Sequence, residues 1–546
     1  MTSSRSLCIS SRVTLTASSS HKGDETSRRE EKQDGSVRGV NRSRPDLDFD
    51  YLLDEGNRDK IREEIKARKG VGDIDFLHKN WNKIQGIMEA GVTSISEDEY
   101  SKLWDDLYDE ASRIPNRTHE SVPRGGEEKA IVVDILNECA RREGNDLLTT
   151  EEMVKSWRSL LHPTKASGQR SYSLIGALSR LERALLDFAW ERAVALGFTP
   201  VYIDDIVPKD IGQACGMMHD GLQYTLDSSP SLALSGTAEM GIAALLRGMT
   251  FKKEQLPMRF VAQSRCYRPE ISKSASEARL YRVHEFSKVE MFVVCLPEQS
   301  EAELQNLVQT QKDTLSQLGL HCRVLEMPSE ELGASAYRKY DIEAWMPGRR
   351  LFGEVSSASN CTDFQSRRLR MHYIDPSTGN RSLVHTCNGT AIAVPRSLVA
   401  TLETFQNEKR KGTLNALPEV IRHRVERRDA KGKTIRDGKI KFSTGPSFGW
   451  ERSLKRFVLL ICEDSILIPF VVLGGNAVGE PHNPRPRKRK PGAALSKTHY
   501  MVTKVGRRNT YHCLYCDRLN YTLEKAEYHA DAHTGAYPKP EQSYYY

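Results

Sequence analysis

Five β-rich segments, at 258–268, 281–295, 320–326, 340–356 and 369–374, follow one another along the chain, several with no helix between them. Parallel strands need a crossover of a dozen or more residues, usually a helix, whereas antiparallel neighbours need only a turn. The direct joins therefore predict an antiparallel sheet and argue against a doubly wound parallel one. Helical patterns surround these segments. Leu178, Leu181, Leu185 and Phe188 mark one face of a helix over about 173–196, ending near Gly197 with Pro200 just beyond. The expected class is α+β, an antiparallel sheet flanked by helices. Neither G-x-G-x-x-G nor G-x-x-x-x-G-K-[ST] occurs, so no dinucleotide or Walker-type phosphate loop is signalled.

The flanking regions differ in character. Residues 1–23 carry Arg5, Arg12 and Lys22, dense Ser and Thr, and no acid. That composition predicts a mitochondrial transit peptide, with a disordered terminus as the alternative. Residues 58–111 carry helical stripes: Ile61 and Ile65; Phe76, Leu77, Ile84 and Ile87; Tyr100, Leu103, Trp104 and Leu107. They predict two or three short helices in a small unit. Lys60, Arg62, Lys66, Arg68 and Lys69 make its first helix basic, either a solvated face or a phosphate contact.

Charge is unevenly placed. The 546 residues sum to +7, but residues 426–546 hold 22 Lys or Arg against 12 Asp or Glu, leaving the rest slightly acidic. A basic tail on a near-neutral body points to a polyanion, usually nucleic acid; the alternative is a solvated extension. The apolar run 457–473 is broken by Glu463, Asp464 and Pro469 and is too short for a membrane span, so no membrane association is expected. It reads as two strands or a strand pair. The 11 cysteines are odd in number and mostly scattered, which favours a reducing compartment. Four tail residues stand apart. Cys513, Cys516, His529 and His533 have the spacing of a two-Cys two-His zinc finger of the nucleic-acid-binding type. Two thiolates and two imidazoles suit tetrahedral Zn²⁺, which so small a unit would need in order to fold.

Three central segments carry chemistry together. CYRPE (266–270) and RVHEFSKVEMF (282–292) form a predicted hairpin. Arg268 and Glu270, two apart on a strand, would face one side, and Phe286, Lys288 and Glu290 would share a face of the return strand. An Arg offers a bidentate phosphate contact and an aromatic face offers a stack; a structural hairpin with a salt bridge is the plainer alternative. In GEVSSASNCTDFQSRR (353–368), Glu354, Ser356 and Ser357 are oxygen ligands at a strand end, suited to Mg²⁺ that phosphates also hold. HTCNGTAIAVPR (385–396) runs from a strand through Gly389 into an apolar helix bearing Arg396.

In this order the segments resemble the three signature motifs of class II aminoacyl-tRNA synthetases, and in detail the seryl-tRNA synthetases of the mitochondrial type. GTAEMG (236–241), YRVHEFSKVEMF (281–292), YRKYDIEAWMPG (337–348), FGEVSSASNCTDFQSRR (352–368) and AVPRSLVATLE (393–403) carry the likeness, and RIPNRTHESVPRGGEE (113–128) matches the junction between tRNA-binding arm and catalytic domain. The resemblance covers about 46–425. It implies ATP-dependent activation of serine to seryl-adenylate and transfer to tRNA(Ser) in the mitochondrial matrix by a homodimer whose interface includes the helix at 173–196.

The same resemblance implies residue roles. Arg268 would bridge the serine carboxylate and the α-phosphate. Glu270 would hold the adenine or orient Arg268, and Phe286 and Arg396 would stack on the adenine. Arg282 would reach the triphosphate, and Glu354 and Ser357 would ligate Mg²⁺. Thr237, Glu239 and Glu290 would bind serine, Glu290 taking the ammonium, with Asn388 and Thr390 near its hydroxyl. The expected divisions are 1–45 (transit peptide and linker), 46–127 (helical tRNA-binding region), 128–425 (catalytic), 426–500 (basic extension) and 501–546 (zinc finger). The finger is foreign to the family: it is an appended RNA-binding module, or the sequence joins two reading frames. The rival readings are a non-catalytic synthetase-like paralogue and a zinc-finger nucleic-acid-binding protein.

Overall fold

A computed structural model describes residues 44–425, apart from breaks at 69–71, 91–94, 156, 158–159, 162–167, 169, 219–220, 271–279 and 410–412, and backbone at 500–505, 508–513 and 519–520. These fall into two units, Met1–Ile440 and Lys441–Tyr546. The segments 1–23, 457–473 and 481–491 lie outside the described residues.

Three helices open the first unit: α1 (Glu55–Ala67), α2 (Ile74–Ala90) and α3 (Glu97–Arg113). Ser96 caps α3 in a reciprocal box with Glu99, which satisfies donors that no helix can satisfy itself. The predicted stripes meet in one small core of Ile61, Ile65, Ile74, Leu77, Ile84, Leu107 and Ala111, with Trp81 edge-on to Trp104 at 6.0 Å. Phe76 departs from its stripe and stands exposed. The basic face of α1 divides. Arg62 pairs with Asp59 and Asp75. Arg68 is buried and donates to the carbonyls of Asn116, Arg117, Gly333 and Ala336, so it ties α1 to the rest of the unit and is no phosphate contact.

An eight-stranded sheet follows, built from β1 (Ile131–Leu136), β2 (Thr199–Pro200), β3 (Met258–Tyr267), β4 (Glu285–Cys295), β5 (Cys322–Glu326), β6 (Arg338–Met346), β7 (Leu351–Thr362) and β8 (His385–Ala393). Its order is β1-β5-β6-β7-β8-β4-β3-β2. Every pairing is antiparallel except the short β2–β3 edge. The segment read as 340–356 is a hairpin, β6 and β7, turning at 347–350. His372–Ile374 leaves this sheet and pairs parallel with Thr250–Lys252 in a smaller one.

Helices cover the sheet: α4 (Ala177–Ala195), α5 (Ala238–Leu246), α6 (Ser300–Gln317), α7 (Phe364–Leu369) and α8 (Val394–Thr404). Gly197, at φ 88, ends α4 in the left-handed conformation that other residues resist. The two faces of the sheet read directly from β4. Val289, Met291, Val293 and Cys295 join α4, α6 and α8 in the larger core, and Phe292 and Val294 join α5 in the second. Alternation along a strand therefore places Lys288 and Glu290 on the α5 face. The stripe on α4 packs within its own chain, in the larger core. Among the described residues no helix is long and apolar enough to cross a membrane. In the second unit, Tyr500–Val505, Arg508–Cys513 and Leu519–Asn520 form a small antiparallel sheet.

Candidate active site

Two local irregularities shape one face of the sheet. Between β6 and β7 the register slips by one: Ile342 pairs with Ser356 but Glu343 pairs with Glu354, so Val355 is the extra residue of a bulge. A regular strand would separate Glu354 from Ser357. The bulge brings both to one face, while Val355 and Ala358 both enter the larger core. Ser356 turns away and donates to the Thr390 carbonyl at 2.5 Å, so it is no free ligand. The oxygen set lies within β7 rather than at a strand end. A second slip, on β8, leaves Glu290 opposite Thr390, whose hydroxyl donates to Glu290 Oε2 at 3.1 Å. Gly389 lies in mid-strand, not at the strand–helix junction; a Cβ there would meet Gln311 Nε2 at 3.1 Å.

Arg268 and Glu270 fall just past the end of β3 and do not share a strand face. Glu270 instead turns at φ 45, a strained conformation for a residue with a side chain, and its carboxylate stands 3.5 Å from Arg282. The Arg268 guanidinium lies 5.3 Å from the centre of the Phe286 ring, and its Nε donates to Gly236 O at 3.3 Å. Arg396, in the first turn of α8, pairs with Glu354 at 3.4 Å and covers Tyr281 at 4.8 Å. One wall thus holds three guanidiniums, Arg268, Arg282 and Arg396, with two aromatic rings. Partial burial would raise the Glu354 carboxyl, but Arg396, Lys339 and Arg268 outweigh it and hold it below its ordinary range. Asp341, buried on the adjacent strand, is pushed up by desolvation despite Lys339 at 2.7 Å.

The other wall is a compact polar cluster. Lys288 Nζ donates to Thr237 Oγ1 at 2.7 Å and ion-pairs with Glu290. Thr237 caps α5, and Glu239 follows in its first turn. Glu239 Oε1 accepts from Asn388 Nδ2 at 2.9 Å and from Gln365 Nε2. Burial raises the Glu239 carboxyl to about 7; Glu290 adds to the rise, and Lys288, Gln365 and Arg268 oppose it. Arg268 thus acts on the carboxylates of both walls. Sequence reasoning placed Lys288 on the correct face without giving it a role. It missed Gln365, Tyr281 and Asp341, whose significance is visible only once strands and helices are assembled.

All of the expected ATP- and serine-site residues converge on this face. Of the expected zinc ligands, Cys516, His529 and His533 lie outside the described residues and only the backbone of Cys513 is described. Among the described residues no group of three or more His, Cys, Asp and Glu is arranged to hold a metal ion.

Residues 224–405 match the family described as tRNA synthetase class II core domain (G, H, P, S and T). The chain is 39% identical over 371 residues to the mitochondrial serine–tRNA ligase of Mus musculus, covering 65% of this chain and 70% of that one. It is 39% identical over 333 residues to the mitochondrial enzyme of Schizosaccharomyces pombe, covering 59% and 68%. Among solved structures, seryl-tRNA synthetase from Pyrococcus horikoshii complexed with ATP is 29% identical with a TM-score of 0.56, covering 69% of this chain and 88% of that one. The antiparallel sheet, the two-walled site and these likenesses agree, and the chain belongs to the class II serine–tRNA ligase family.

Proposed function

We propose that this serine–tRNA ligase acts in mitochondria as a homodimer, and that the two walls of its cleft divide the work between ATP and serine. Its reaction couples serine and ATP to seryl-adenylate and then to tRNA(Ser). The mitochondrial assignment is supported by relatives named as mitochondrial enzymes in mammals and yeasts. The dimer is supported by family membership.

On the first wall, Phe286 offers a face for the adenine and Arg396 its opposite cover. Arg268 and Arg282 face the phosphates, with Glu270 fixing Arg282. In the activation step a serine carboxylate oxygen bonds to the α-phosphorus, the bond to the bridging oxygen breaks, and pyrophosphate leaves with the electron pair. No side-chain nucleophile is required. Arg268 offsets charge gathering at the α-phosphate, and the fixed site supplies orientation. Glu354 and Ser357 would hold Mg²⁺, and the fit is chemical: an anionic carboxylate and a hydroxyl on one face, beside three guanidiniums. When bound, the metal would screen phosphate charge.

On the second wall, Glu239 and Glu290 receive the serine ammonium, while Lys288 keeps the pair from carrying two uncompensated charges. Asn388, Thr237 and Thr390 border the hydroxyl. A site built to hydrogen-bond that hydroxyl leaves its own groups unpaired when alanine enters, and so rejects it. For the tail, ligand spacing alone supports a tetrahedral zinc site at Cys513, Cys516, His529 and His533.

The observation that carries this reading is the reach of Arg268: on the first wall, against Phe286 and beside Gly236, it acts electrostatically on both Glu239 and Glu354. The test is charging of serine tRNA with labelled serine by the full chain. Charging by wild type and its loss in Arg268→Ala are expected. Equal charging by both would remove Arg268 from its role, and no charging by folded wild type would leave the non-catalytic paralogue.

A further inference from the structure

Among the described residues, no lysine or arginine touches the carboxylate of Glu239, on the second wall, directly. Both of its hydrogen bonds fall on one oxygen, Oε1, from Asn388 and Gln365. No described residue donates to Oε2. The second N–H of the same Asn388 Nδ2 lies 3.5 Å from Cys361 Sγ. Gln365 is held at both ends. It is fully buried in the first turn of α7, and its Oε1 accepts from the Thr386 hydroxyl at 2.7 Å. Thr386 is itself fully buried in β8.

A glutamine amide is nearly symmetric in shape, so its orientation is set by partners rather than by packing. The Thr386 donor claims the amide oxygen and leaves the NH₂ for Glu239. Without that donor, Gln365 Oε1 becomes a buried acceptor with no partner, a costly state that the side chain relieves by moving toward another donor. The NH₂ then leaves Glu239, and Asn388 alone holds the carboxylate.

We propose that Gln365, locked by Thr386, is a positioning residue for amino-acid recognition: it holds Glu239 by one oxygen so that the other is presented to the substrate ammonium. This rests on the reading that Glu239 binds serine. The relay runs from β8 through α7 to α5, three elements distant in sequence.

The test is serine-dependent ATP–pyrophosphate exchange with the full chain, measuring KM for serine and for ATP and the melting temperature of each variant. Thr386→Val and Gln365→Met are expected to raise the serine KM roughly tenfold, the scale of a lost hydrogen bond to a charged group. The ATP KM should stay within about twofold, since the first wall is untouched. Thr386→Ser keeps the hydroxyl and should behave as wild type, which a purely steric role would not predict. If Thr386→Val does not fold, Thr386→Ala, which empties space rather than filling it, carries the same expectation. An unchanged serine KM in the folded variants, with Glu239→Gln still raising it, overturns the relay alone. An unchanged serine KM in Glu239→Gln overturns the reading of Glu239 beneath it.

Discussion

At the scale of single residues, the cleft works by setting charges against one another. Burial lifts the Glu239 carboxyl to about 7, with Glu290 reinforcing it. Only its anion binds an ammonium, so kcat/KM for serine should fall as pH drops from 8 to 6, with an apparent pKa near 7, a value that belongs to the free enzyme. A profile flat across that range would contradict the assignment. The sign for stability is opposite. The folded state keeps this proton above the ordinary carboxyl range, so the group favours folding at low pH and loses that contribution as pH rises through about 7. Arg268 carries the largest expected loss. Arg268→Ala should lower kcat/KM by roughly a hundredfold to a thousandfold, the scale of removing one preorganised donor from developing charge. Steady-state exchange kinetics measure it.

At the scale of elements, the hairpin of β6 and β7 tolerates little. A Cβ at Gly348, in its turn, would fall 2.0 Å from the Leu148 carbonyl oxygen, a backbone atom that cannot rotate away. Gly348→Ala should therefore cost about 1–3 kcal/mol or more, read from urea unfolding of the first unit. Ser96→Ala removes one half of the α3 capping box and should cost about 1 kcal/mol. These elements also mark where the sequence was informative. The alternation of Phe286, Lys288 and Glu290, the α4 stripe and the direct strand joins were all legible, because period and loop length are local properties. The bulge at Val355 was not, because register belongs to a pair of strands. It decides that Ser357 rather than Ser356 faces Glu354. Gln365 and Thr386 were equally hidden: their partners lie on other elements, and nothing in DFQSRR or HTCNG announces a relay. Arg68 shows the reverse error, a residue in a basic helical run whose guanidinium is spent on four backbone carbonyls.

At the scale of the whole molecule, the surplus of positive charge lies in the sequence after the segments that build the cleft. The +10 carried by residues 426–546 exceeds the net charge of the entire chain. Removing this tail should leave serine-dependent exchange intact while weakening RNA binding and flattening its dependence on salt, since fewer counterions are released. A filter-binding salt titration of both forms measures this; an unchanged slope would free the tail from RNA contact. The cleft itself is read out by exchange of labelled pyrophosphate into ATP by the full chain. Exchange that requires serine, is absent with alanine and falls roughly a hundredfold or more in Arg268→Ala is the expected result. A folded, wild-type chain that exchanges no label with serine would contradict it.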